Sequence, residues 1–233
     1  MTALEQRLAD VRQRIAQACQ AVQRDAASVS LLAVSKLQPA QAVRQARQAG
    51  QRAFGENYVQ EALDKMAALS DLRAGVEWHL IGPLQSNKTR AVAEAFDWVH
   101  SVDRLKIAQR LSDQRPPGLP PLNICLQVNI SGEASKSGLA PEELPDVARA
   151  AAALPRLRLR GLMAIPEPAQ GFEAQRAPHR ALRLLLQRLQ AQGLDLDTLS
   201  MGMSDDLEAA VAEGSTMVRV GTAVFGARPR GVA

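Results

Sequence analysis

Three short stretches carry residue types whose chemistry converges. In "SLLAVSK", Lys36 closes an apolar run. A lysine there is either an ordinary solvated charge where a strand meets its loop or an amine held ready to attack a carbonyl. In "MVRVG", Arg219 shares strand parity with Met217 and Gly221; parity leaves open whether it points inward or outward to a helix carboxylate. An inward arginine beside the lysine would disfavour the ammonium form and would demand an anion or a basic nitrogen as partner. The third stretch, "SMGMSDDLEAA", runs through Gly202 to Ser204, which has N-cap chemistry, with Asp205, Asp206 and Glu208 in the first turns of a helix. Together with Gly221 and Thr222 of "VGTAVFGA" it offers backbone N–H groups and hydroxyls to a phosphate. The acids beside Ser204 oppose an anion if they point inward, and capping is their plainer role.

These residues need elements that bring them together. Leu4, Leu8, Val11, Ile15, Cys19 and Val22 recur at spacings of three and four, which predicts a helix before Lys36. After it, short apolar runs alternate with amphipathic segments: "SLLAVSK", "RAFGEN", "EWHLIG", "WVHSV", "LNICLQVNI", "RLRGLMAI", "DTLSMGM" and "TMVRVGTAVFG" read as eight strands with helices between them. The helix before the seventh strand is expected from "EAQRAPHRALRLLLQRLQAQG", with Gly171 to Ala177 a soft loop at its head. Eight βα units predict an α/β chain folded as a single (β/α)8 TIM barrel over residues 1–233, with an extra N-terminal helix. An open doubly wound sheet is the alternative, but no Gly-x-Gly-x-x-Gly follows the first strand. The Pro/Gly-rich stretch from Gln114 to Asn123 reads as a loop, not an interdomain linker. Barrel closure sets the last strand beside the first, and Leu32, Val34 and Lys36 share a face. If that face is inward, Lys36 lies at the mouth near Arg219, with the phosphate-type loops next to it. Such a site asks for an aldehyde, a ring nitrogen and a phosphate in one ligand. Pyridoxal 5'-phosphate has all three.

Composition removes other classes. Formal charge is +4 in 233 residues, the arginines are interspersed with acids, and aromatics make up only 3%, so neither a basic stripe nor a stacking platform for nucleic acid stands out. Cys19 and Cys125 are far apart with no Cys-x-x-Cys, which argues against a zinc framework and fits buried thiols in a reducing compartment. Charges interrupt the opening segment where a signal peptide needs an apolar run, and no long apolar stretch suits a membrane span. The expectation is a cytoplasmic protein without membrane or nucleic-acid partners.

"AVSK", "FGENYVQEALDK", "WHLIGPLQSNK", "VNISGEASKSG", "GLMAI", "SMGMSDDLEAA" and "VRVGTAVFGAR" occur in order over nearly the whole chain, and this set resembles the pyridoxal phosphate homeostasis proteins. Members of that family are single barrels similar to the N-terminal domain of alanine racemases. The resemblance implies that Lys36 forms a Schiff base with pyridoxal 5'-phosphate and that Arg219 faces the pyridine nitrogen. It places the phosphate around Ser204, Gly221 and Thr222 with Met201 nearby, and it puts Asn57 and His79 at cofactor-facing positions. Leu80 stands where an aromatic is common. Read without the resemblance, Asn57 is as well explained as a turn former and His79 as a hydrogen-bonded core histidine. Asn129 and Lys136 belong either to a loop over the mouth or to a purely structural one. Trp78 and Trp98 read as packing, His100 shows no visible chemistry, and His179 sits in a polar helix where exposure is expected.

The resemblance implies a carrier that stores, protects or delivers the cofactor, with pyridoxal phosphate-dependent apoenzymes as candidate recipients. The alternative is an amino acid racemase. The resembled enzymes use a tyrosine from a partner subunit's additional domain as second base; that domain is not expected here, and Tyr58 is the one tyrosine. All implied ligands come from one barrel, so a monomer is expected. An aldolase-like Schiff-base barrel is a third reading, distinguished by a colourless purified protein.

Overall fold

In the computed structural model, which describes residues 1–132 and 137–227, eight parallel strands close into a barrel in sequence order. The strands are β1 (Ser30–Val34), β2 (Ala53–Glu56), β3 (Glu77–Leu80), β4 (Trp98–Val102), β5 (Leu122–Gln127), β6 (Leu157–Met163), β7 (Thr198–Ser200) and β8 (Met217–Val220). Each expected apolar run supplies one of them. The helices are α1 (Ala3–Ala21), α2 (Ala40–Gln48), α3 (Val59–Ala68), α4 (Thr89–Ala95), α5 (Leu105–Gln114), α6 (Leu144–Ala152), α7 (Phe172–Ala191), α8 (Leu207–Ala212) and α9 (Thr222–Phe225). The last expected strand was too long: it ends at Val220, and "TAVF" turns into α9. Gly171 to Ala177 is not a loop either, because α7 starts at Phe172, directly after Gly171 at φ 87°.

The opening helix forms because Thr2 and Glu5 build a reciprocal capping box and its apolar stripe is buried. Val22 falls outside that stripe, exposed just beyond the helix end. The helix packs on α2, α8 and α9, and the Arg7 guanidinium donates to the carbonyls of Val224 and Phe225. It thereby covers the seam where β1 meets β8, in the register Leu32 to Arg219.

Strand parity divides the interior. Phe54, Trp78, Val99, Ile124 and Leu162 join the apolar layer between sheet and helices. Leu32, Ile81 and Met217 pack separately from that layer, as do Trp98, Cys125 and Met163; these alternate positions face the barrel axis. Both tryptophans therefore pack, one on each side of the sheet, and both cysteines are buried. Burial pushes the Cys125 thiol up to about 12. In β4 the register against β5 shifts between Val99 and Val102, and both valines lie in the outer layer. Such a bulge re-aims the residues between them. Among the described residues no helix is long and apolar enough to cross a membrane, and no metal-binding cluster occurs.

Gly161 marks the tightest sheet contact, since a Cβ there would stand 1.8 Å from the Thr198 carbonyl oxygen of β7. Gly161→Ala must push β6 from β7, and urea unfolding should show a loss of about 3 kcal/mol, the upper range for overpacking. An unchanged midpoint would contradict this packing.

Candidate functional site

A cavity of about 450 Å3 opens at the C-terminal ends of the strands, where barrels place their sites. Lys36, Asn57, Ser204, Arg219, Gly221 and Thr222 all line it. His79 and Met201 do not. Met201 is fully buried in the layer between sheet and helices. His79 is also fully buried and stacks on Trp98 with ring centroids 5.3 Å apart. Ile81, from the same β3 segment, provides apolar wall to the cavity. Asn129 lines an adjoining cavity of about 290 Å3 that shares Asn57 and Ile81 with the first; Lys136 lies outside the described residues.

Lys36 follows β1 in a turn clamped on both sides. Before it, the Ser35 hydroxyl donates to Glu56 Oε1 at 2.6 Å, and the Ser35 carbonyl accepts from Lys65 Nζ at 2.6 Å. After it, Leu37 adopts φ 59°, a strained setting for a branched side chain, and its N–H donates to Glu61 Oε1 at 2.6 Å. Lys65 binds both acids, at 2.9 Å to Glu56 and 2.6 Å to Glu61. Burial raises the Glu56 pKa, opposed by the charge and hydrogen bond of Lys65 and by the Ser35 hydroxyl. Three residues of "FGENYVQEALDK" thus hold the backbone that carries Lys36. Glu61 and Lys65 have the i,i+4 spacing of an ordinary helical pair; their role becomes visible only when β2 sets Glu56 beside Ser35.

Arg219 points inward. Its Nη1 donates to the Ser200 carbonyl at 2.6 Å and to Ser200 Oγ at 2.8 Å, and its Nη2 donates to the Ala164 carbonyl at 2.9 Å. Of the five N–H groups of a guanidinium, these bonds use three. Burial pulls its pKa down to about 10, which leaves it charged at neutral pH. Ser200 Oγ also meets His100 Nδ1 at 2.8 Å, and His100 is fully buried. It is therefore tied to the site's cation and is not chemically silent. His100 shares its strand face with Trp98, but every residue of β4 is buried, so the run "WVHSV" does not mark which face is inward.

The loop after β7 is built differently from the expected cap. Helix α8 begins at Leu207 with Asp206 as its N-cap residue, and Ser204 sits in the preceding turn. Asp206 Oδ1 accepts from the Met203 N–H at 2.6 Å, and Oδ2 meets His179 Nε2 at 2.8 Å. Against its desolvation, the His179 hydrogen bond and the Met203 N–H hold the Asp206 pKa below the usual carboxylate range. His179 is consequently buried, not exposed: one polar side chain of α7 turns inward to anchor this loop. Gly202, at φ 94° with no room for a Cβ against Ala210, lets the loop turn, and its carbonyl accepts from the Arg219 N–H at 2.9 Å. The committed carboxylate of Asp206 does not compete with an anion, whereas Asp205 lines the cavity wall.

The Alanine racemase, N-terminal domain family matches residues 8–229. A Pseudomonas aeruginosa protein named pyridoxal phosphate homeostasis protein is 65% identical, across 99% of this chain and 98% of its own. The chain belongs to the pyridoxal phosphate homeostasis protein family. An Escherichia coli protein of the same name is 55% identical over 98% of both chains. PipY of Synechococcus elongatus, solved with PLP bound, has a TM-score of 0.84 at 41% identity and covers 96% of this chain and 100% of its own. Family membership and the closed barrel agree with the motifs read from the sequence.

Replacing Lys65 by methionine strands buried Glu56 and frees the Ser35 carbonyl. Lys65→Met should cost about 3 kcal/mol in urea unfolding, as for a broken buried ion pair. Adding Glu56→Gln should recover part of that loss. A double variant no more stable than Lys65→Met would show that the pair does not act as a unit.

Proposed function

We propose that this chain holds pyridoxal 5'-phosphate as a Schiff base on Lys36, for storage, protection or delivery in the cytoplasm, and that it does not work as a racemase. The observation that carries the reading is the convergence of an amine, a buried guanidinium and a hydroxyl-bearing loop pair in one cavity. PipY, with PLP bound, and the names of the relatives support it.

The residues present fit the cofactor. Arg219 has N–H groups left for an acceptor, and Asn57 Oδ1 is a buried polar atom without a protein partner, of the kind a ligand's polar substituent satisfies. Ser204 and Thr222 hydroxyls and the Gly221 backbone form the phosphate end in this proposal. His79 and Met201 act there only at one remove, since neither lines the cavity.

When bound, the cofactor supplies a reactive aldehyde on an electron-accepting ring. Lys36 holds it covalently. Arg219 is a fixed cation that disfavours a proton on the ring nitrogen, which restrains carbanion chemistry. Tyr58, the single tyrosine, is 55% exposed and does not line the cavity, so it offers no second base facing Lys36. A monomer supplies every proposed ligand, and pyridoxal phosphate-dependent apoenzymes are the proposed recipients.

The test is the visible spectrum before and after borohydride reduction, followed by peptide mass mapping. The purified protein should be yellow and carry a phosphopyridoxyl adduct on Lys36, and Lys36→Ala should lose the band. An adduct confined to another lysine, or none in cofactor-saturated protein, would overturn the proposal.

A further inference from the structure

Behind Arg219 the barrel interior holds a continuous line of polar side chains: Arg219 to Ser200 Oγ at 2.8 Å, Ser200 Oγ to His100 Nδ1 at 2.8 Å, and His100 Nε2 to His79 Nδ1 at 2.9 Å. Beyond it, His79 Nε2 lies 3.7 Å from Glu77 Oε2. That is an electrostatic contact, too long for a hydrogen bond, and His79 Nε2 has no hydrogen-bond partner. Burial lowers the pKa of His79 and drives that of His100 well below the usual histidine value, which disfavours a charged ring at either position.

The protons in this line can be placed. A guanidinium only donates, so Ser200 Oγ accepts from Arg219 and has its own proton to give to His100 Nδ1. Neutral His100 then carries its proton on Nε2 and donates to His79 Nδ1. His79 in turn carries its proton on Nε2, toward the Glu77 carboxylate. The reverse order would make Ser200 accept twice, leave its hydroxyl proton without an acceptor, and aim a bare nitrogen lone pair at a carboxylate. The cation at one end and the anion at the other select the same direction.

We propose that His100 is a positioning residue for Arg219. By taking the Ser200 proton it obliges Ser200 to present a lone pair to the guanidinium, which fixes the directions of the N–H groups left for the ligand. His79 and Glu77 hold His100 in the tautomer this requires.

The first arm of the test is independent of any cofactor: nitrogen-15 NMR of the histidine side chains in the unsubstituted protein at neutral pH. Both His79 and His100 should be neutral with the proton on Nε2. A proton on Nδ1 of either ring, or a charged ring, would overturn the inference. The second arm rests on the pyridoxal phosphate reading and follows cofactor dissociation and the position of the visible band. His100→Leu should weaken binding about tenfold, the scale of one lost hydrogen bond to a charged group, and should shift the band. His100→Asn, whose carbonyl accepts in place of Nδ1, should recover most of the loss. A His100→Leu variant equal to the parent, or a folded His100→Asn variant as weak as His100→Leu, would overturn the inference. A parent with the expected tautomers that binds no cofactor would support the relay and overturn the functional reading alone.

Discussion

The guanidinium of Arg219 is a full charge inside a barrel whose axis would otherwise be filled by apolar side chains. It persists there because two carbonyls and a hydroxyl accept its protons; an unpaired buried charge would cost several kcal/mol or more. Much of the interior follows from that constraint. Ser200 must accept, which gives its proton to His100, and that histidine faces the barrel axis on the same side of β4 as Trp98. Arg219 lines one cavity, and the donors that the protein leaves unused demand a lone pair or an anion.

Lys36 meets the cavity from the adjacent strand and is fixed by a different device. Glu56, Glu61 and Lys65 bind the backbone and hydroxyl of its neighbours, so the turn that brings Lys36 to the cavity wall is held. The Asp206 and His179 pair does the same for the loop carrying Ser204. In each case a buried polar group outside the cavity orients a residue inside it, a common arrangement where binding geometry must be set in advance. It suits a protein that holds a reactive aldehyde with little reorganisation.

The eight strands and the opening helix were legible because their apolar periods are uninterrupted. Lys36 and Arg219 were legible as a pair because closure pairs β1 with β8. What escaped did so for physical reasons. His100 shares a face with Trp98, but β4 is buried on both faces, so its sequence does not mark the inward side, and its partners Ser200 and His79 are 100 and 21 residues away. His179 is one inward residue on a helix otherwise rich in polar side chains, and its partner is 27 residues away. Glu61 and Lys65 have the spacing of a solvated helical pair, and their burial is set by tertiary contact with the Lys36 turn. Ser204 has the right chemistry for a cap, but the N-cap position falls on Asp206 because its carboxylate is held by Met203 and His179. Met201 precedes Gly202, the turn that carries the chain toward Ser204, and its side chain stays in the outer layer.

The central claim is that a fixed cation at Arg219 meets the cofactor ring nitrogen and keeps it unprotonated. Its most direct test is the nitrogen-15 chemical shift of pyridoxal 5'-phosphate labelled at the ring nitrogen and bound to the protein at neutral pH. The account predicts an unprotonated ring nitrogen with the shift of a hydrogen-bonded pyridine. A pyridinium shift in the bound cofactor would contradict it.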